Sequence, residues 1–300
     1  MRVVIAGASG LIGGALGPAL VAAGHEVRCL VRRAPTSADE IFWNPAVREL
    51  DAGQLEGADA IVNLAGENVG TGRWTAGRRE KIFRSRVDTT LTLVTGFAKL
   101  ARKPAVFVSA SAVGFYGSRG DEQLTEANGI GQGFLPEVCL AWETHAEGAA
   151  RMGIRTVTTR FGVVLSRDGG ALAKMLPIFR IGVGGRLGDG RQWMSWVSLA
   201  DAIGAIGHVL TDRRCSGPVN VVAPAAVTNV EFTATLARVL RRPALAAVPA
   251  WGLRAVFGQM AEETVLASTR AQPVRLGETG FVFQHETLEA ALRQTLGRES

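Results

Sequence analysis

The stretch RVVIAGASGLIGGALGPALVAAG, residues 2–24, decides the fold. RVVIAG (2–7) is β-branched and apolar without alternation, the pattern of a strand buried on both faces. GGALGPALVAAG (13–24) reads as a helix ended by glycine. Between them Gly7, Gly10 and Gly13 follow a G-x-x-G-x-x-G spacing. Glycine lets the chain turn tightly there and lets backbone approach a ligand closely, while the free N–H groups and dipole of a helix start attract phosphate. The backbone of Gly7, Ser9, Gly10, Leu11, Ile12 and Gly13 is therefore read as a pyrophosphate cradle rather than an ordinary glycine-rich turn. The same stretch has the outline of a secretory leader: a positive start, a long apolar run and small residues at its end. Its glycines and Pro18 interrupt that run, and the cradle accounts for their spacing.

Working outward, strands are expected at 26–32, 59–66, 105–111, 155–165 and 217–223. They alternate with helices at 79–100, where Val87, Leu91, Val94 and Ala98 share a face, and at 136–153. Near-continuous apolar strands alternating with helices imply an α/β fold with a doubly wound parallel sheet. From about residue 166 the alternation stops. Residues 166–193 are glycine-rich and loop-like, and after Pro224 the chain is mainly helical, with amphipathic runs at 227–240 and 287–296. Residues 1–165, with 196–222 returning to them, are thus expected to form a nucleotide-binding domain. Residues 166–195 and 223–300 would form a smaller C-terminal lobe capping the crevice at the carboxyl ends of the strands.

Composition narrows the classes of function. A 300-residue chain with 47% hydrophobic and 20% charged residues is ordinary for a globular protein. The net charge of +6 comes from scattered pairs such as Arg78-Arg79, Arg213-Arg214 and Arg241-Arg242. No basic run is interleaved with aromatics, which argues against a nucleic-acid partner. Cys29, Cys139 and Cys215 are odd in number and widely spaced, so neither a disulfide framework nor a metal site is expected, and a reducing cytoplasm fits. No run approaches the ~18 apolar residues of a membrane helix, and no membrane partner is expected.

The second strand bears on the choice of cofactor. An acid at its end would hold the ribose 2′-hydroxyl of NAD(H), but here it ends Val31-Arg32-Arg33. Two guanidiniums suit a 2′-phosphate, so NADP(H) is favoured over NAD(H). The plainer alternative is a solvated basic pair on a loop.

GASGLIG (7–13), NLAGEN (63–68), SASAVGFYG (109–117) and WVSLAD (196–201) together resemble the extended short-chain dehydrogenase/reductases, the NAD-dependent epimerase/dehydratase group. RW at 73–74, SR at 85–86, VCLAWE (138–143), GVVL (162–165), KMLPIFRIGVGG (174–185) and GFVF (280–283) resemble an atypical branch of it, labelled "epimerase family protein", with a C-terminal domain of unknown function. The resemblance covers nearly the whole chain and implies a Rossmann-type fold. It implies that Gly7, Gly10 and Gly13 cradle the pyrophosphate and that Arg32 and Arg33 face the adenosine phosphate. Leu64, Ala65 and Gly66 would bring backbone beside the cofactor riboses. Lys81 and Arg86 would add cofactor contacts, or simply form a solvated helix face. Trp43 would stack near the adenine, or sit in the core. Relatives of this kind often dimerise through helices at 80–100 and 136–152, so a homodimer is an expectation by analogy.

That resemblance also implies a catalytic serine, a tyrosine and a lysine four residues after the tyrosine. Ser111 fits the serine, with Ser109 as the alternative. The positions of the other two fall on Cys139 and Glu143. Tyr116 is the one tyrosine in the chain and position 120 is glycine, so no Y-x-x-x-K exists in it. Tyr116 is expected to line the crevice. Cys139 and Glu143, at i and i+4, share a helix face. A thiol, with a pKa of about 8.5 against about 10 for tyrosine, is an acceptable proton donor but a shorter one. The carboxylate beside it would raise its pKa. Glu143 would accept hydrogen bonds from ribose hydroxyls. The plainer reading makes Cys139 a small buried hydrophobe. His25, His145, His208 and His285 read as isolated and structural.

Two functions follow. One is an NADP(H)-dependent oxidoreductase or epimerase on a polar, sugar- or nucleotide-like small molecule, with Ser111 polarising a carbonyl and Cys139 or a water relaying the proton. The other is a catalytically silent NADP(H)-binding sensor or partner-binding protein.

Overall fold

The computed structural model describes residues 1–298. In its first half the chain lays down β1 (Arg2–Ala6), α1 (Leu11–Ala22), β2 (Glu26–Val31), β3 (Glu40–Asn44), β4 (Glu49–Leu50), β5 (Ala60–Asn63), α2 (Ala76–Phe97), β6 (Val106–Ala112), β7 (Gln123–Leu124), α3 (Phe134–Ala150) and β8 (Arg155–Phe161). There follow β9 (Val163–Leu165), α4 (Gly170–Arg180), β10 (Gly185–Leu187), β11 (Trp193–Met194), β12 (Trp196–Ser198), α5 (Leu199–Thr211) and β13 (Gly217–Val221). The last stretch carries β14 (Val227–Thr228), α6 (Asn229–Leu240), β15 (Ala246–Val248), α7 (Ala250–Phe257), α8 (Gln259–Glu263), β16 (Arg270–Ala271), α9 (Val274–Glu278) and α10 (Leu288–Thr295).

Eight strands form the central sheet in the order β13-β8-β6-β5-β1-β2-β3-β4. Every neighbouring pair is parallel except β3 with β4. The chain runs outward from β1 through β2 to β3 and β4, then returns to place β5 on the other side of β1. The winding therefore reverses between β1 and β5, which opens a crevice beyond their carboxyl ends. This is a Rossmann-type, doubly wound α/β fold.

The unbroken apolar strands are explained by cover on both faces. Val3, Ile5, Val62 and Val108 pack with Leu16 and Leu20 of α1 and Ala202, Ile206 and Val209 of α5. Val4, Ala6, Ile61 and Phe107 pack with Leu93 and Phe97 of α2 and Ala146 and Ala149 of α3. A third core lies in the later part of the chain, joining Leu172, Leu176 and Phe179 of α4 to Phe232 and Leu236 of α6 and Leu288 and Leu292 of α10.

Three expectations change. The glycine-rich stretch after residue 166 contains α4, because Leu172, Leu176 and Phe179 repeat at helical spacing and have a core to enter. The α2 stripe is rotated: Val87, Thr90, Leu93 and Phe97 are buried, while Ala98 is exposed. Threonines can take buried places because their hydroxyls bond back along the helix, Thr90 Oγ1 to the Arg86 carbonyl at 2.8 Å and Thr92 Oγ1 to that of Asp88 at 2.7 Å. Residues 40–44 form an unexpected strand, and its Trp43 is a core tryptophan, 2% exposed.

Candidate active site

The loops after β1 and β5 meet at the reversal. Gly7 has φ +84°, and a side chain there would stand 2.7 Å from the Leu64 carbonyl carbon and the Ala65 nitrogen. A side chain on Gly13 would stand 2.3 Å from the Gly7 carbonyl oxygen. The Gly10 N–H closes the turn onto that oxygen at 3.0 Å. Gly10 caps α1 without a side chain, and the first turn carries no acid. The N–H groups of Leu11, Ile12 and Gly13 therefore point outward without intrahelical acceptors, as an anion site requires. Ser9 is exposed beside them. The Leu11 side chain lies against Gly169 and Gly170 at the start of α4.

Beyond β2, Arg32 and Arg33 are both exposed but not equivalent. Arg33 Nη1 bonds Glu40 Oε2 at 2.8 Å and also reaches Thr36. The guanidinium holds the Glu40 carboxyl well below its usual range, at about 2. Arg33 is thus partly neutralised, whereas Arg32 forms no salt bridge among the described residues.

On the β5 side, Asn63 orients the loop. Its amide donates to Thr90 Oγ1 at 3.1 Å and its carbonyl accepts from the Ala65 N–H at 3.2 Å. Ser85 and Arg86 of α2 hold the next residues: Ser85 Oγ accepts from the Glu67 N–H at 3.0 Å, and Arg86 Nη1 donates to the Glu67 carbonyl at 3.1 Å. The Arg86 guanidinium lies where a side chain on Gly66 would be 3.3 Å away, and sits 5.0 Å from the centre of the Trp142 ring. Burial lowers its pKa. It has no carboxylate partner among the described residues, since Glu67 pairs with Arg78, and the buried Trp142 Nε1 also lacks an acceptor. Lys81, a turn earlier on α2, is exposed.

Ser111, near the end of β6, donates its hydroxyl hydrogen to Glu143 Oε1 at 2.6 Å. Glu143 is gripped in a bidentate fork by Arg160 of β8, Nε to Oε1 at 2.8 Å and Nη2 to Oε2 at 2.7 Å. Arg160 Nη1 donates to the Tyr116 hydroxyl at 2.9 Å, which donates to Asn220 Oδ1 at 2.8 Å. The Phe115 ring centre lies 3.6 Å from the Arg160 guanidinium. Asn220 passes the chain on to the Gln272 carbonyl at 2.9 Å, and its N–H donates to Glu126 Oε1 at 3.0 Å. Every link is buried: Ser111 is 3% exposed, Glu143 8%, Arg160 4% and Tyr116 0%. This accords with the rule that a buried charge is paired and hydrogen-bonded.

The expected roles change accordingly. Glu143 has both oxygens committed within the protein, not held out for ribose hydroxyls. Ser111 points its hydrogen at Glu143, so its free capacity is to accept a hydrogen bond, not to polarise a carbonyl. Ser109 is fully buried one step inside the strand. Tyr116 lies in the network and does not line the crevice. Cys139 packs with Phe115, Tyr116, Leu124 and Val222. Burial, reinforced by the Glu143 carboxylate, pushes its thiol up to about 11. Its neighbourhood is that of the small buried hydrophobe.

Arg160 and Asn220 were missed: Asn220 is a polar residue inside the otherwise apolar GPVNV, which was an available signal, whereas Arg160 lies among the threonines of RTVTTRF, where nothing in the strand sets it apart. His285 is not isolated: its Nδ1 lies 3.1 Å from Ser198 Oγ and 3.2 Å from Asp201 Oδ2. This is no catalytic relay, because one nitrogen faces both partners and Ser198 caps α5. No group of three potential metal ligands occurs among the described residues. A cavity of about 650 Å³ lined by Met1, Arg2, Glu26, Glu56, Asp59 and Arg102 lies at the opposite, amino-terminal end of the strands.

Comparison with known proteins agrees with this layout. Residues 248–295 match the Domain of unknown function (DUF1731). Epimerase family protein Mb2239 of Mycobacterium bovis is 44% identical over 290 residues, covering 97% of this chain and 96% of its own. The crystal structure of human epimerase family protein SDR39U1 (isoform 2) with NADPH superposes with a TM-score of 0.91 at 33% identity, covering 100% of both chains. A nucleoside-diphosphate sugar epimerase structure from Corynebacterium glutamicum gives 0.83 at 37% identity, covering 100% of this chain and 59% of that one. Residues 3–223 match the NAD dependent epimerase/dehydratase family, and the chain belongs to it.

Proposed function

We propose that the protein is an NADP(H)-dependent oxidoreductase or epimerase acting on a polar, sugar- or nucleotide-like small molecule. The observation that carries the cofactor assignment is the pairing of a glycine cradle that any side chain would fill with a desolvated, carboxylate-free Arg86 beside Gly66. Such a site calls for a ligand that is anionic and must approach backbone closely. The residues fit NADP(H): the N–H groups of residues 11–13 for the pyrophosphate, Leu64, Ala65, Gly66 and Arg86 for the next portion, and Arg32, with Arg33 behind it, for a 2′-phosphate. The NADPH in the SDR39U1 structure supports the choice. The substrate class is supported by the printed name of the corynebacterial relative and by Arg186 and Arg191, exposed on the glycine-rich segment. Residues 166–195 and 223–300, of which 299 and 300 lie outside the described residues, form the capping lobe in this reading.

Bound NADP(H) would supply or accept a hydride. The chain's own part is the proton. With no Y-x-x-x-K available, Ser111 Oγ accepts the proton of a substrate hydroxyl as its own hydrogen passes to Glu143 Oε1. Reduction runs the same transfer backwards. Arg160 positions the carboxylate, and Cys139 takes no part.

The burial of Ser111, Cys139 and Glu143 favours a second reading, a catalytically silent NADP(H)-binding sensor. The two are separated by incubating wild type and Ser111→Ala with a metabolite extract and NADPH deuterated at the hydride position. Deuterium in a metabolite with wild type, and its loss with Ser111→Ala that still binds NADPH, is the expected result. No transfer from NADPH, together with no metabolite oxidised or epimerised when NADP+ is supplied instead and the products are separated by chromatography, would establish the silent reading.

A further inference from the structure

The lobe carries a face of exposed apolar side chains that the proposed chemistry does not use. Leu245 is 92% exposed, Ile181 74%, Trp251 73%, Val256 61% and Val183 56%. The fold brings the segments that carry most of them together. The Val183 N–H bonds back to the Ile178 carbonyl at 3.3 Å, and a side chain on Gly182 would stand 3.3 Å from Pro243. β10 pairs with β15 so that Gly185 lies beside Ala246 and Leu187 beside Val248, and α7 begins two residues after β15 ends.

Its charge is mainly positive, with Asp189 and Glu262 at the margins. Residues 178–188 and 238–261 contain Arg180, Arg186, Arg238, Arg241, Arg242 and Arg254 and no Asp or Glu. Arg238 pairs with Glu289 and Arg254 with Glu262, while Arg180, Arg186, Arg241 and Arg242 form no salt bridge among the described residues.

We propose that this face docks on an anionic lipid bilayer surface. Bulky exposed apolar side chains on segments that also carry exposed arginines, unpaired among the described residues, match a headgroup region of negative charge above an apolar layer. A second copy of the chain is a poor occupant, because a two-fold contact would set Arg180, Arg241 and Arg242 against themselves. A bilayer, unlike a folded partner, needs no complementary shape, and charge of one sign suits it. That no helix among the described residues is long and apolar enough to cross a membrane concerns spanning, not this contact.

The test is sedimentation of the full chain, with NADPH present, with vesicles of phosphatidylcholine alone or with about 30% phosphatidylglycerol. Expected is binding to the anionic vesicles only, abolished by about 0.5 M salt. Leu245→Glu with Trp251→Glu should weaken it by at least about tenfold, and Arg242→Glu alone by about fivefold or more, with NADPH affinity unchanged in each. Absence of binding to anionic vesicles at low salt overturns the proposal. So does binding that survives Leu245→Glu with Trp251→Glu. Self-association that disappears in that variant, without vesicle binding by wild type, would assign the face to a second copy instead.

Discussion

The two sides of the crevice are built on opposite principles. The side formed by the loops after β1 and β5 is made largely of backbone and leaves groups without a full answer: the N–H groups of the first turn of α1, and the Arg86 guanidinium, which bonds only backbone carbonyls and has no carboxylate partner among the described residues. The side formed by β6, α3 and β8 answers its own groups, as Ser111, Glu143, Arg160, Tyr116 and Asn220 satisfy one another in a buried chain. Unanswered polar groups in a partly buried setting are costly unless a ligand meets them, so the first side is shaped for something else to arrive. The second side is stable by itself, and in the proposed reaction its part is confined to relaying a proton.

The largest effect is expected where the self-satisfied side is broken. Arg160→Met leaves a buried carboxylate alone and should lower urea-unfolding stability by about 3–5 kcal/mol. Adding Glu143→Leu should recover much of that loss. A double variant no better than the single would show that Arg160 matters through packing on Phe115, not through charge.

On the open side, Gly13→Ala should weaken NADPH binding in a fluorescence titration by at least about a hundredfold, near 3 kcal/mol, because its methyl meets the Gly7 carbonyl. Arg86→Met should cost about 2 kcal/mol in the same titration. Unchanged affinity would remove Arg86 from the cofactor site. Smaller again, Arg32→Ala should weaken NADPH about tenfold relative to NADH. Arg33→Ala should do less, since Glu40 already shares its charge.

Cys139→Ala should be the mildest, with NADPH affinity unchanged and a stability loss of about 1 kcal/mol near neutral pH. It should also change the alkaline limb of the stability curve. The thiol is raised from 9.0 to about 11 in the folded protein, so the folded state binds its proton more tightly than the unfolded one. Its contribution is whole below pH 9 and is lost as pH rises through 11. Wild type should therefore lose stability more steeply than Cys139→Ala between those values.

Much of this was legible without coordinates. The spacing Gly7, Gly10, Gly13 after RVVIA states a strand, a turn and a helix start, because only glycine tolerates those backbone approaches. The unbroken apolar strands state cover on both faces. The cofactor side was readable for that reason: its chemistry is local backbone chemistry. The α2 stripe and α4 were misread, because periodicity alone does not show that Thr90 can bury its hydroxyl against its own helix, or that Leu172, Leu176 and Phe179 have a core awaiting them.

The sequence by itself determined the doubly wound sheet, the cradle and the lack of any Y-x-x-x-K, since each depends on residues close in the chain or on composition. Only the tertiary structure decided what Ser111, Glu143 and Tyr116 do. Their partner Arg160 lies 17 residues from Glu143 and 44 from Tyr116, and Asn220 lies 104 from Tyr116. The direction of a hydroxyl hydrogen or the commitment of a carboxylate is set by whichever charge the packing brings within 3 Å, and no pattern along the chain encodes that meeting.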